Sequence, residues 1–281
     1  MNSTPLNPLK ATKLNYIQKK MKTFVINLDS SQDRLSRISV QLKKLRVPFE
    51  RVPAVNGTKL TDDYIKNITY PLDHIDTKTR FTRALTRGEI GCFLSHRACW
   101  ELLLESNEKW ALILEDDIEI SPYAAKYLSD DKWLPSDVNL CQLNAPYDGK
   151  IGRIGHSTKN IDKDIKLVQP LYPTPTGSFA YFISRDVALE ALRSSKKLPS
   201  PVDNFLFSPW FDISPKFVLW RTDPSLVIPL QDVKSDVGDR GKNSIKKAPF
   251  LIRHGLKRMI MDWKIRRYQS KGKEFVFKFW K

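Results

Sequence analysis

The stretch "ALILEDDIEI", residues 111–120, runs four apolar residues into three consecutive acids, Glu115, Asp116 and Asp117, with Glu119 close behind. A run that is apolar until it stops at its acids suits a central strand buried on both faces. In an open parallel sheet, ligands bind outside the carboxyl ends of such strands. In extended backbone Glu115 and Asp117 point to one side and Asp116 to the other. Two carboxylates side by side raise each other's pKa, and a divalent cation removes that conflict. Mg²⁺ and Mn²⁺ prefer hard oxygen ligands, and Mg²⁺ sites combine one or two carboxylates with substrate phosphates. The spacing therefore reads as half of a metal–diphosphate site. A solvated acidic turn after a core strand is the alternative that spacing alone leaves open.

The elements around these acids have an α/β order. Thr23–Leu28 is a β-rich run closed by Asp29 and Ser30, which offer a turn or helix cap. Leu35, Ile38, Leu42 and Leu45 then recur at helical spacing. "VPFERVPAV" reads as a second strand, ended by Asn56–Gly57. Strand, helix, strand is a βαβ unit and implies a parallel sheet. Residues 58–85 are polar and irregular, a loop with short helices. The segment "TRGEIGCFLSHRACWELLLES" is a helix opened by a Thr86/Glu89 capping box, with Ile90, Phe93, Leu94 and Ala98 on its apolar face. "VNLCQL" (138–143) is a further strand. Residues 144–178, rich in Gly, Pro and Thr, read as loops. "GSFAYFISRDVALEALRSS" gives a strand and a helix, and "PVDNFLF" with "KFVLWRTDPSLVIPL" brings a helix or turn and a last strand region.

A chain of 281 residues with 41% hydrophobic and 11% aromatic residues is globular and long enough for a large core. No run of about 18 apolar residues exists to cross a membrane as a helix, and residues 1–20 lack the apolar stretch of a secretory signal. Three cysteines, Cys92, Cys99 and Cys141, form neither a metal spacing nor an even disulfide set, which points to a reducing, cytoplasmic compartment. The net charge of +16 is uneven. Residues 1–20 hold four lysines and no acid, and residues 242–281 hold thirteen Lys and Arg against Asp262 and Glu274. Residues 21–241 are close to neutral. The expected organisation is an N-terminal extension (1–20), one domain (21–241) and a basic C-terminal segment (242–281). In that last segment Ile252, Leu256, Met259, Ile260 and Trp263 share a helical face that Arg253, Lys257, Arg258 and Lys264 lie off. This is the pattern of an interfacial membrane helix; a helix packed on the domain with solvated charges fits equally. A pI of 9.7 invites a nucleic-acid-binding reading. That reading requires basic residues interleaved with aromatics across the fold, and the near-neutral middle with its acidic cluster argues against it. A metal-dependent phosphodiesterase would share the carboxylates but lacks a His-rich dinuclear set.

Seven segments in order, "FVINLDSSQDR", "VPAVNG", "TRGEIGCFLSH", "ALILEDD", "GSFAYFIS", "PVDNFLF" and "PSLVIPLQDVKSD", closely resemble glycosyltransferase family 25, which includes bacterial lipooligosaccharide galactosyltransferases. The resemblance runs from about residue 21 to 240, and "RGEIGCFLSH" and "LEDD" are its most specific parts. It implies a GT-A-like nucleotide-sugar-binding fold with a mostly parallel central sheet flanked by helices. It also implies a UDP-sugar donor, Mn²⁺ or Mg²⁺ at the acidic motif, and inverting transfer onto a saccharide hydroxyl. Galactose from UDP-galactose is the expected sugar, with UDP-glucose or a UDP-N-acetylhexosamine as the alternative donor. The expected acceptor is a lipid-linked oligosaccharide of lipooligosaccharide or lipopolysaccharide, met at the inner face of the cytoplasmic membrane.

The resemblance also assigns residues. Glu115, Asp116 and Asp117 stand at its D-x-D-type motif, with Asp117 a direct metal ligand, Glu115 a ligand or ribose contact, and Asp116 turned the other way. Asn27, Leu28 and Arg34 match the nucleotide-contacting first strand and helix start, where Arg34 would reach phosphate. Asn56 and Gly57 would line the base pocket. Gly88, Glu89 and Gly91 sit at a helix N-terminus that suits an anion, although the capping box already uses Glu89. Ser95 and His96 belong to the same motif. Asp203 is the candidate general base that takes the acceptor proton; a helix cap after Pro201 is the plainer reading. Many GT-A enzymes take a metal-binding histidine from the region after the last strand. Here that region has none, which leaves Asp232 or water for the remaining coordination.

Overall fold

The computed structural model describes residues 21–70, 84–144, 151–171, 177–208 and 217–230, together with 263, 267, 272–276 and 278–280 towards the C-terminus. The chain opens on β1 (Lys22–Asn27), α1 (Gln32–Lys44) and β2 (Glu50–Pro53), and β1 and β2 pair in parallel. Within α1, Ile38 and Leu42 are fully buried and Leu35 and Leu45 pack beside them, as their spacing predicts. A 3₁₀ turn (Gly57–Lys59) and α2 (Asp62–Ile68) follow. The long helix α3 (Arg87–Glu105) begins with the expected capping box: Thr86 Oγ1 accepts from the Glu89 backbone N–H at 3.1 Å, and the Thr86 N–H donates to Glu89 Oε2 at 2.9 Å.

Next come β3 (Trp110–Glu115), β4 (Ile118–Ile120), α4 (Ala125–Leu128), β5 (Leu140–Gln142), β6 (Ile151–Asn160) and β7 (Lys166–Leu171). They are followed by β8 (Ala180–Ser184), α5 (Arg185–Ser194), α6 (Val202–Phe207), β9 (Leu219–Asp223), β10 (Val227–Pro229) and β11 (Lys273–Val276). Nine strands form one sheet in the order β11-β6-β7-β9-β5-β8-β3-β1-β2, and β10 pairs with β4 in a separate ribbon. The fold is α/β with a central sheet flanked by helices. The parallel arrangement foreseen from the βαβ unit holds for β2-β1-β3 and for β5-β9. β8 runs antiparallel to both its neighbours, and β7, β6 and β11 extend the sheet with antiparallel pairings.

Strand alternation divides the apolar residues between two cores. Phe24, Ile26, Ala111, Ile113, Tyr181 and Ile183 face the layer that contains α3, α5 and α6. Val25, Leu112, Leu114 and Phe182 face the layer of α1 and α4. β3 lies between β1 and β8, and Ala111–Leu114 are completely buried, as a central strand covered on both faces requires.

Residues 144–178 do not form loops throughout. They contain β6 and β7, paired as an antiparallel hairpin. The pairing register shifts between Ile154 and Thr158, so the hydrophobic alternation that marks a strand is broken inside β6. β7 carries Pro170 and is fixed by β9, a partner made much later in the chain. Beyond their mutual hairpin, these strands are held by long-range pairing, β7 with β9 and β6 with β11, which local sequence does not carry.

Part of the basic C-terminal segment is built into the domain. β11 completes one edge of the sheet, Phe279 bridges to Ser225, and the Trp280 ring stacks on Tyr123 at 5.2 Å and lies 5.9 Å from Tyr127. The amphipathic residues 252–260 lie outside the described residues, as do residues 1–20 and Asp232. Trp263 is 57% exposed, with the Arg267 guanidinium over its ring. Among the described residues, no helix is long and apolar enough to cross a membrane.

Candidate functional site

Three parallel strands end at the same edge of the sheet. β1 delivers Asn27 and Leu28, β2 leads into Ala54–Gly57, and β3 delivers Glu115 followed by Asp116 and Asp117 in a bend. Since β8 is antiparallel to β3, the residues just before it, Gly177–Phe179, return to this edge, and the Glu115 N–H donates to the Phe179 carbonyl at 2.8 Å. The first turns of α3 and α6 close the space. The result is a cleft of about 280 Å³. Of the residues singled out from the sequence, Asn27, Leu28, Arg34, Asn56, Gly57, Gly88, Glu89, Ser95, His96, Glu115, Asp116, Asp117 and Asp203 all line it.

The three acids have three different environments. Glu115 Oε1 accepts from Ser178 Oγ at 2.5 Å and lies 3.3 Å from His96 Nε2. Asp116 is buried; its Oδ2 accepts from Asn27 Nδ2 at 2.6 Å, and its Oδ1 is 3.7 Å from Arg34 Nη1. Arg51 in turn donates to the side-chain oxygen of Asn27 at 3.0 Å and to its carbonyl at 3.2 Å, which fixes the amide so that its NH₂ meets Asp116. Asp117 is the least compensated of the three. Its Oδ1 is buried and has no hydrogen-bond partner among the described residues. Burial first, and then the charges of Glu115 and Asp116, push its carboxyl from an ordinary 3.8 up to about 7, with Arg34 opposing. The bend at Asp116–Asp117 replaces the extended backbone assumed from sequence, and Asp116 also reaches the cleft, turned towards Asn27 and Arg34.

Other residues shape the walls. Ser95 Oγ donates to the Gly91 carbonyl at 2.7 Å and accepts from the Val55 N–H at 2.8 Å, tying the loop after β2 to α3. Gly91 and Gly57 make that approach possible. A Cβ on Gly91 would stand 2.4 Å from the Val55 carbonyl oxygen, and one on Gly57 would stand 1.7 Å from the Arg87 carbonyl oxygen. Gly91, unlike Gly57 and Gly88, does not line the cleft and serves backbone packing beneath it. Asn56 caps the 3₁₀ turn by accepting from the Thr58 N–H at 3.0 Å. Asp203 stands in the first turn of α6, and its Oδ1 accepts from the Asn204 N–H at 2.7 Å.

Sequence reasoning passed over Ser178, Cys92, Arg51 and Tyr181. Ser178 lies in the quoted "GSF" segment, but nothing local shows that its hydroxyl meets Glu115. The Cys92 thiol is kept protonated by burial foremost, then by the charges of Glu115, Asp203 and Asp117, so these carboxylates share one electrostatic space. Cys92, His96 and Glu115 also bring their ligand atoms within 4.8 Å of one another.

Carboxylate oxygens are the donors that a hard divalent cation takes. Among the described residues, the bonds to Glu115 fall on Oε1 and leave Oε2, and Asp117 holds a buried oxygen without a hydrogen-bond donor, so the acidic set fits such an ion.

The sequence matches the family described as glycosyltransferase family 25 (LPS biosynthesis protein) over residues 20–206. The chain belongs to glycosyltransferase family 25. Procollagen galactosyltransferase 1-B of Xenopus laevis is 28% identical over 191 residues, covering 65% of this chain and 30% of that protein. A Haemophilus influenzae protein whose description offers glycosyltransferase as a candidate activity is 30% identical over 186 residues, covering 66% of this chain and 62% of its own length. The chain therefore spans less than two thirds of either relative. Among solved structures, a glycosyltransferase involved in glycosylation of the major capsid of PBCV-1 aligns with a TM-score of 0.37 at 9% identity, covering 76% of this chain and 94% of that one.

Proposed function

We propose that this chain transfers a hexose, galactose in the first instance, from a UDP-sugar to a saccharide hydroxyl with inversion at the anomeric carbon. The observation that carries the reading is the buried oxygen of Asp117 beside Glu115, without a partner among the described residues, at the carboxyl edge of the parallel strands. Asp117 and the free oxygen of Glu115 would hold Mn²⁺ or Mg²⁺. When bound, that ion supplies Lewis-acid neutralisation of the diphosphate leaving group. Asn27, Leu28 and the Asn56–Gly57 turn form the wall for the nucleoside. Asp116 holds Asn27 in place and, with Arg34, balances charge at the diphosphate end. Asp203, on the α6 wall, accepts the proton of the acceptor hydroxyl as it attacks from the face opposite UDP.

Galactose is favoured because a relative is named a galactosyltransferase. A lipopolysaccharide-type acceptor is favoured by the family description. UDP-glucose and UDP-N-acetylhexosamine remain the alternative donors. The basic segment 242–281 is assigned to an anionic membrane surface on its charge pattern, and residues 1–20 are assigned to an extension outside the domain.

The test is UDP release from a panel of UDP-sugars, with and without Mn²⁺ and with a lipooligosaccharide acceptor. Turnover of UDP-galactose is expected only with the metal, abolished by Asp117→Ala, and reduced about 10²–10⁴-fold in kcat by Asp203→Asn. Metal-independent turnover would sink the metal assignment. Failure of every donor, with Mn²⁺ and UDP still binding, would sink the transferase reading for this chain.

A further inference from the structure

His96 has no exposed surface, yet each ring nitrogen has a partner that decides its proton. On one side, Nδ1 lies 2.8 Å from the Tyr181 hydroxyl. That hydroxyl is itself fully buried and accepts from Trp100 Nε1 at 3.0 Å. An indole N–H only donates, so the phenol oxygen is the acceptor there. The phenol's single proton then has one recorded acceptor among the described residues, His96 Nδ1. With Nδ1 accepting, the imidazole proton sits on Nε2, which points at Glu115 Oε1, 3.3 Å away. The same oxygen also accepts from Ser178 Oγ. Two donors on Oε1 leave Oε2 as the oxygen of Glu115 that faces the cleft without a partner among the described residues.

We propose that His96 is a positioning residue: the Trp100–Tyr181 pair locks it as the Nε2–H tautomer, and it holds Glu115 by Oε1 so that Oε2 is presented to a divalent cation. The inference rests on the metal reading given above. It also decides a rival arrangement in the same wall. Cys92 and His96 lie one turn apart on α3, and with Glu115 they have the spacing of a sulfur–nitrogen–oxygen metal site. An Nε2 that carries a proton has no lone pair for a metal. Occupation of that trio would require Tyr181 to give up its acceptor in a fully buried setting, at the cost of an unmade hydrogen bond. The structure therefore favours the carboxylates over the thiol-containing set.

Two measurements on the full chain test this. Long-range ¹H–¹⁵N correlation spectra of histidine-labelled protein should show one of the four imidazoles as a fixed Nε2–H tautomer, and Tyr181→Phe should release that signal from its fixed state. Mn²⁺ binding, followed by the EPR signal of the free ion and independent of turnover, should weaken about 10–100-fold in His96→Ala. It should recover in His96→Gln, whose amide N–H can reach Glu115. A folded His96→Ala that binds Mn²⁺ as tightly as the unmodified protein would overturn the proposal, as would an Nδ1–H tautomer. Co²⁺ titration gives the rival its chance: a thiolate-to-cobalt charge-transfer band that vanishes in Cys92→Ser would establish the thiol site instead. If the unmodified protein binds no Mn²⁺ at all, the metal reading fails, and the tautomer spectrum alone then decides whether His96 is locked against Glu115.

Discussion

Asp117 illustrates how a single buried carboxylate can cost stability. Its carboxyl is raised from 3.8 to about 7, so the folded state favours the protonated form more than the unfolded chain does. That contribution is fully present below about pH 4 and is lost as pH rises through about 7. Metal-free protein should therefore melt at a lower temperature at pH 8 than at pH 5, after allowance for other groups. Asp117→Asn should remove this part of the pH dependence and stabilise the metal-free protein at pH 8 by about 1–3 kcal/mol, while Mn²⁺ should stabilise only the unmodified chain. Calorimetry at the two pH values, with and without Mn²⁺, checks all three. The acids themselves were legible in the sequence, because a buried apolar run that stops at acids is a local pattern. Ser178, Tyr181 and Arg51 were not. Each acts on a residue of a different element, at sequence separations of 24 to 85 residues.

At the scale of elements, α3 does most to place the site. Its boundaries were readable from Thr86 and Glu89, since a capping box is a short-range reciprocal hydrogen bond. Its depth in the fold was less readable, because that depends on backbone meeting backbone at Gly57 and Gly91. Gly91→Ala would force the Val55 loop away from the helix. The expected result is a loss of about 1–3 kcal/mol of stability and weaker UDP binding, since Asn56 moves with the loop. Unchanged denaturation midpoint and UDP affinity in this variant would show that the loop can shift freely. The bend after β3 was also hidden. An unbroken strand and a strand–bend–strand have the same composition here, and the difference is set by β10 and the residue that follows it, Leu230, whose N–H donates to the Asp117 carbonyl at 2.8 Å. Gln41 of α1 reinforces the bend from the other side by donating to the Ile118 carbonyl and accepting from the Ile120 N–H.

For the whole molecule, the C-terminal residues bear on how membrane attachment should be tested. Cutting the chain near residue 245 would remove the basic residues, but it would also remove β11 and the Trp280 ring that covers Tyr123 and Tyr127. A truncated protein that lost liposome binding would then be ambiguous. Replacing Arg253, Lys257, Arg258 and Lys264 by Gln leaves the sheet edge untouched. At about 1 kcal/mol per basic residue near an anionic leaflet, this should weaken binding to phosphatidylglycerol vesicles by orders of magnitude at low salt, with folded stability unchanged. Equal vesicle binding by both proteins would remove the membrane assignment.

The place of β9 in the sheet has a consequence for synthesis. It lies between β5 and β7, although it is made after β6, β7 and β8. A chain leaving the ribosome can assemble β2-β1-β3-β8-β5, the half that carries Asn27 and the three acids, before β9 has emerged. The β6–β7 hairpin has no seat until then. At translation rates of about 5–20 residues per second it waits for seconds with unpaired strand edges, the condition in which edges find the wrong partner. The nascent chain is thus safest where its site is and most exposed to misassembly at the hairpin farthest along the sheet.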